Sequence, residues 1–578
     1  MSSIASDEPS SIASEVLRPH GQEYEVIDDL RVDPQANQRY NRKARFNFPN
    51  GEGFEQFTDI ERPLVEYFYL LFPMGFLPEL LTQTNLIIEA SAYPTNLKYH
   101  LTKGEFFKWL GIKLAMILSP LRGGIDSYFA AENEIGTVYE GGNFGKRFKM
   151  SKNRFKIIQE SLRFAPENRQ STDPWNPIRP FIDAFNTRNT SVIIPGIFLC
   201  IDECMSMWKG LDGKIAGIFG LPHKTKIARK PEGVGAEVKT LACVETGVII
   251  KADLMEGAER NAQKDYADQG AGTGTSLRLT QAYHRTGRVL VGDSWFASVL
   301  TCVALFQVGL FFIGIVKTAS RFFPKEFLSD WLEANHAREN RGKHILLKTK
   351  RDGVDVYALG WSDKKGKQIV FTSGTTNPGA PSVRVRHKAV VRDGVWVKTT
   401  YQKVVNRPHV TEEMFNAYST IDVHDHYRQG SLEIERLWIT KDWILRIFGP
   451  FLGIIIVNSF NCYRFFIPES VDFNTFLGRL SYQLIFNKFL EIEENERVLR
   501  QRPGMDPEVS DSHKPAKFID LDLYSDLRNT DKRATRQCAN RSCKKKTVWY
   551  CVKCSNVEEN IIKSFCLTKR DCFINHIK

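Results

Sequence analysis

Four aspartates occupy places where a carboxylate needs a reason. Asp202 follows Gly196-Ile-Phe-Leu-Cys-Ile201, and Asp293 follows Val289-Leu-Val-Gly292. Both are short continuous apolar runs of the kind that form strands buried on both faces. Asp422 and Asp425 stand three apart in Ile421-Asp-Val-His-Asp425, which puts them on one face if the segment is helical. Two like charges ~4 Å apart repel by roughly 4 kcal/mol at an effective dielectric of about 20, so a cluster of three or four calls for cations. Mg²⁺ or Mn²⁺ fits: hard ions take carboxylate oxygens and keep positions open for phosphate. Two such ions drive in-line displacement at a phosphodiester. The plainer reading, strand-end aspartates as turn formers, demands no metal. His424 and His426 flank the last two acids and are expected to be supporting or incidental groups rather than zinc ligands.

A second chemistry sits at the C-terminus. Of 11 cysteines, only Cys200, Cys204, Cys243, Cys302 and Cys462 precede residue 538. Cys538, Cys543, Cys551, Cys554, Cys566 and Cys572 crowd the last 41 residues, together with His576. The opening MSSIASDEPSSIASEVL has no basic stretch followed by an apolar one, so a reducing compartment and zinc are expected in preference to disulfides. Two tetrahedral sites need eight ligands, and His513 is a candidate for the eighth. The same segment carries nine bases against three acids, half of the whole chain's net charge of +12. That charge predicts phosphate contact and salt-sensitive affinity. A purely structural or protein-binding zinc module is the bland alternative.

Positioning these groups takes several elements. The chain has 578 residues, 42% hydrophobic and 25% charged, which is ordinary globular composition and excludes a largely disordered or membrane-embedded protein. Ile447–Phe460 is apolar but shorter than the ~20 residues of a span and is interrupted by Pro450, so a buried core helix is expected and no membrane partner. Residues 1–60 read as a disordered acidic region, its first 35 residues net −6. Residues 61–190 read as helical, with Thr102 and Ser151 as caps and Lys152, Arg154 and Lys156 along one helix face. From 191 to 317 the order is strand, strand, strand, helix, strand, helix, strand, which allows the first and fourth strands to lie side by side. Gly270-Ala-Gly-Thr-Gly-Thr-Ser276 reads as a flexible loop, since no Lys follows it as a phosphate-binding loop requires. Residues 318–418 read as a separate β-rich insertion whose last hairpin turns at Asp393-Gly394 and carries Arg384 and Arg386 on one face. Helices return over 419–470 and 471–501, a linker covers 502–535, and the cysteine-rich segment fills 536–578.

Three separated blocks carry a family resemblance. Cys200-Ile-Asp-Glu-Cys-Met-Ser-Met-Trp-Lys-Gly210, Val291-Gly-Asp-Ser-Trp-Phe-Ala-Ser298 and Phe415-Asn-Ala-Tyr-Ser-Thr-Ile-Asp-Val-His-Asp425 resemble, in order, blocks of the piggyBac family of DNA transposases and their derived proteins. Trp443, Arg446, Asn458, Ser459, Phe460 and Tyr463 resemble the helix that follows. Ser294, where the family usually has Asn, and Tyr-Ser-Thr-Ile before Asp422 depart from its pattern. The resemblance implies an α/β, RNase H-like catalytic core interrupted by a β-rich insertion, flanked by a helical dimerisation and DNA-binding region and closed by a zinc-binding cross-brace finger. It implies Asp202, Asp293 and Asp422 as the catalytic, metal-binding triad, with Asp425 a further essential acid. It also implies excision and insertion of double-stranded DNA at TTAA sites, between transposon terminal repeats, by a homodimer. Trp443, Arg384, Arg386, Lys544, Lys545 and Lys546 are the expected DNA contacts, and the nucleus is the expected location. Two other readings compete: a domesticated, catalytically inactive DNA-binding protein of the same fold, and a ubiquitin-ligase-like scaffold acting through the tail.

Overall fold

The computed structural model describes residues 19–47, 63–131, 141–166, 171–216, 219–227, 233–317, 320–392, 394–467, 469–493, 515–527, 534–540, 543, 545–552, 554–556, 561–567, 572 and 576. The chain divides into two compact units. One holds 1–101 and 106–485, and the other 102–105 and 486–578.

A ten-stranded mixed sheet organises the larger unit. At its centre the strands run Val248–Leu254, Val234–Cys243, Phe198–Met207, Val289–Gly292, Phe311–Ile315. The first three are antiparallel and the last two run parallel to Phe198–Met207. This order, 3-2-1-4-5, is that of an RNase H-like core, and it places the first and fourth strands side by side as expected. The parallel crossovers are made by helices, Ala271–Thr280 before the fourth strand and Val299–Gln307 before the fifth. The apolar runs Val289-Leu-Val-Gly and Phe311–Ile315 are buried throughout because helices cover both faces.

The insertion is not a separate body. Its strands His344–Arg351, Val354–Trp361 and Lys367–Phe371 continue the same sheet, joined where Lys367–Phe371 pairs antiparallel with Phe311–Ile315. The apolar residues of both parts form one cluster with Val410 and Met414 from the helix His409–Tyr418. Only the hairpin Ser382–Arg392 and Val395–Val405 stands apart as its own two-stranded sheet.

The N-terminal expectation also changes. Glu25–Ile27 is the edge strand beside His344–Arg351, and Tyr24 is buried with its hydroxyl donating to the Phe322 carbonyl, 3.0 Å. Residues 1–18 and 48–62 lie outside the described residues.

The helix Trp443–Phe466 runs unbroken through Pro450. It is long and apolar enough to cross a membrane, but 89% of its apolar window is buried inside the protein. It packs against the helix Leu64–Leu71 and the strand Val248–Leu254. Its Phe448 also meets Phe181 of the helix Arg179–Val192 edge to face at 5.1 Å. Helix Leu64–Leu71 also contacts Phe473–Ile485, so helical segments from either side of the sheet region meet. Ser151 caps the helix Lys152–Ser161 by accepting from the Arg154 amide, 3.2 Å. Arg154 itself is not on a solvated basic face: it is buried, its guanidinium 3.8 Å over the Tyr99 ring.

Among the described residues of the smaller unit the apolar clusters are small. Phe518, Leu521, Ala534 and Tyr550 form one small cluster, and the cysteines with Phe565 and Leu567 form another.

Candidate metal centres

Parallel register sets the first site. Ile201 lies opposite Gly292, so the next residues on each strand, Asp202 and Asp293, emerge together at the same end of the sheet. Glu203 joins them: carboxylate oxygens of Asp202, Glu203 and Asp293 all lie within 4.8 Å of one another, and all three residues are buried. Backbone amides fix the two aspartates. The Glu203 N–H donates to Asp202 Oδ1 at 2.8 Å, and the Trp295 N–H to Asp293 Oδ1 at 2.9 Å. Burial, reinforced by the charges of Glu203 and then Asp293, pushes the Asp202 carboxyl up to about 8. Three buried carboxylates carry more negative charge than one neighbouring cation offsets, and their hard oxygen donors fit a divalent cation.

Glu203 was not singled out from sequence because strand alternation assigns it to the face opposite Asp202. The signal was its place in Ile-Asp-Glu. It is cross-strand to Lys239, whose ammonium stands 3.7 Å from Glu203, 2.7 Å from Glu237 and 3.8 Å over the Trp295 ring. Lys239 is buried, so this cation is fixed beside the acids.

The Gly-rich segment belongs to this site as well, and it is a helix rather than a flexible loop. Gly270 at φ +87° precedes the helix Ala271–Thr280. A Cβ on Gly272 would sit 2.6 Å from the Trp295 carbonyl oxygen, so glycine there lets the helix lie directly on the turn that follows Asp293.

Asp422 and Asp425 separate in role. The helix Thr420–Asp425 packs against the strand that carries Asp202. Asp422 is exposed and, among the described residues, outside the close carboxylate group. Asp425 is buried, accepts from Arg428 at 3.0 and 3.2 Å, and receives the Cys204 thiol at 3.3 Å. Arg428, itself fully buried, also binds Glu435 and the Met205 carbonyl. The Asp425 carboxylate therefore ties its helix to the Asp202 strand. His424 is buried with Nε2 3.1 Å from Asn458 Oδ1, and burial lowers it to about 4. His426 is exposed.

The expected DNA contacts divide too. Trp443 is buried edge to face against Trp175 at 5.7 Å, so it is a core residue. Arg384 is engaged by the buried Asp363 at 2.7 Å. Arg386, Lys545 and Lys546 are exposed. Lys544 lies outside the described residues.

In the tail, Cys538, Cys543, Cys566 and Cys572 converge, as do Cys551, Cys554 and His576. The first and third pairs share one site and the middle pair takes the other, which is a cross-brace. Cys543 and Cys566 sulfurs are 3.7 Å apart, the edge of a tetrahedron with Zn–S of about 2.3 Å and far beyond a disulfide. The Lys545 amide holds the Cys543 thiol down at about 7, whereas burial raises Cys566 to about 12 and Cys572 to about 11. Four thiols poised around one point suit a soft-ligand cation such as zinc. His576 stacks on Phe565 at 4.0 Å, orienting its ring. His513, the suggested eighth ligand, lies outside the described residues.

Comparison with known proteins agrees with this geometry. Residues 64–460 match the family described as Transposase IS4, of the DDE class. No curated protein matches the sequence. Among solved structures, the cryo-EM structure of a piggyBac transposase synaptic complex with hairpin DNA is similar at 18% identity and a TM-score of 0.55, over 91% of this chain and 99% of that one. A matched family over most of the chain, on an RNase H-like sheet that brings Asp202 and Asp293 together, makes this protein a member of the IS4 family of DDE transposases, with the piggyBac transposase fold.

Proposed function

We propose that this enzyme excises and inserts DNA at TTAA sites by metal-dependent phosphodiester hydrolysis and strand transfer, acting as a homodimer on double-stranded terminal repeats in the nucleus. The observation that carries the chemistry is the buried Asp202–Glu203–Asp293 group at adjacent strand ends. When bound, a pair of Mg²⁺ or Mn²⁺ ions supplies the activation of water or a 3′-hydroxyl and the stabilisation of the leaving oxygen. Asp202, Asp293 and Asp422 are the residues that would hold them, with Glu203 adding charge to the first two. Burial and the charges of Glu203 and Asp293 favour the protonated form of Asp202, so a cation held there would compete with that proton. Asp425, through Arg428 and Cys204, holds the helix of Asp422 against the strand of Asp202. Lys239 fixes Glu203 in the cluster. The tail, with zinc in its two thiol-lined groups, is the second DNA-contacting module, supported by the exposed Lys545 and Lys546.

The family resemblance and the fold support TTAA targeting, the dimer and the paired ends; a chromosomal substrate supports the nucleus. The test is an integration assay with a donor bearing the inverted repeats that flank the coding region, followed by sequencing of the junctions. Insertions at TTAA with clean excision are expected. Binding of the repeats without any cleavage product would instead identify a domesticated, inactive transposase.

A further inference from the structure

We propose that the hairpin Ser382–Val405 is a DNA-gripping ribbon, separate from the metal site, whose basic face lies along the backbone of duplex DNA. This deepens the reading of the substrate as double-stranded DNA and rests on it. The hairpin has 11 residues in each strand, the last pair being Arg392 with Val395, and Gly394 stands at φ +78°. At ~3.4 Å per residue it extends roughly 37 Å. Among the described residues its root ties it to the sheet unit: Val405 is buried and Arg384 binds Asp363. Beyond the root its side chains are largely exposed, Val383 at 52% and Trp396 at 73%. A two-stranded hairpin without a third strand or a covering helix is marginal in water, so this one is built for a partner.

The register sorts its chemistry. Arg384 opposes Lys403, Arg386 opposes Tyr401, Lys388 opposes Thr399, and Arg392 opposes Val395, so these share one face. Val383 opposes Val404 and Val391 opposes Trp396 on the other face, with Val385 between them; that face also carries His387 and one cation, Lys398 opposite Ala389. The only acid between 382 and 405 in the sequence is Asp393. Among the described residues no carboxylate lies within ion-pair distance of Arg386, Lys388 or Arg392, and all three are exposed. Arg384, Arg386 and Lys388 recur every ~6.8 Å, and Arg392 follows two steps further on, beyond the Val390–Val397 pair; this row of cations suits a polyphosphate backbone, and a two-stranded ribbon fits a major groove about 12 Å wide. Charge complementarity selects duplex DNA over a second protein as the occupant of this face.

The test uses the full-length protein and a generic 30-bp duplex lacking terminal repeats, with affinity read by fluorescence anisotropy across a salt series. Arg386→Gln, Lys388→Gln and Arg392→Gln together are expected to weaken binding about tenfold or more in low salt. They should also reduce the log–log salt slope by about 2.7, at ~0.9 per lost contact. Val385→Ser with Trp396→Ser should leave both unchanged. Wild-type affinity and slope in the triple variant would overturn the proposal. So would loss of affinity, or a change of mass by light scattering, only in the apolar-face variant, because the ribbon would then dock protein. Metal-dependent cleavage is measured in parallel: ribbon-dependent binding without cleavage would leave this inference standing while the catalytic reading falls, and cleavage with ribbon-independent binding would do the reverse.

Discussion

At Asp202, burial and the carboxylates of Glu203 and Asp293 favour the protonated form, with which a bound cation would compete. Its folded carboxyl ionises near 8, above its unfolded value near ~3.9. Its contribution to stability is therefore complete below the unfolded value and drains away as pH rises through about 8. Melting of the metal-free protein, followed by scanning fluorimetry in EDTA, should fall between about pH 5 and about pH 8.5 by more in wild type than in Asp202→Asn. An equal fall in both would mean that Asp202 is not perturbed. Mg²⁺ binding near pH 7 should also release a proton, seen as a buffer-dependent heat in calorimetry. The two strand-end aspartates were legible from residue order because an apolar run that ends in Asp leaves few other places for the charge. Glu203 was not, since a simple alternation rule hides a residue whose partner, Lys239, is visible only once the strands are paired. Trp443 was misread for a related reason: an aromatic at a helix start looks the same whether it meets a base or Trp175.

The helix Thr420–Asp425 and the segment after it are held by one buried arginine. Arg428→Ala leaves Asp425 and Glu435 buried without their cation, which costs roughly 3–5 kcal/mol. Urea unfolding should show a lower midpoint, and activity should fall with it because Asp422 rides on the same helix. Asp425→Asn, which keeps the shape and one acceptor, should lose less stability than Arg428→Ala; the opposite ranking would contradict a positioning role for Asp425. At this scale the strand–strand–strand–helix–strand–helix–strand order was readable in the hydrophobic patterning, and so was the 382–405 hairpin. The Gly-rich helix was not, because its glycines reflect contact with the Trp295 carbonyl, a tertiary demand that local propensity opposes.

Across the whole molecule, two compact units rest on different physics. The larger has an extensive apolar core, whereas the cysteine-lined part of the smaller has almost none. Zinc should hold the tail folded, with binding worth ~10–16 kcal/mol as in finger peptides. Chelation is expected to expose the 534–576 region to limited proteolysis while the sheet unit keeps its melting transition; joint loss of both would mean that the units are not independent. The merging of the insertion into the main sheet was not legible, because the pairing of Lys367–Phe371 with Phe311–Ile315 is a choice of edge that neither strand's own sequence announces. At the heart of the larger unit, Asp202 and Asp293 should act as one metal-dependent cleavage centre. Its most direct measurement is single-turnover nicking of a terminal-repeat duplex by wild type, Asp202→Ala and Asp293→Ala, with Mg²⁺ and with EDTA. Cleavage by wild type only with metal is expected, and a loss beyond ~100-fold in each variant, more than a supporting contact costs, at unchanged DNA affinity. Cleavage by Asp293→Ala at the wild-type rate would contradict it.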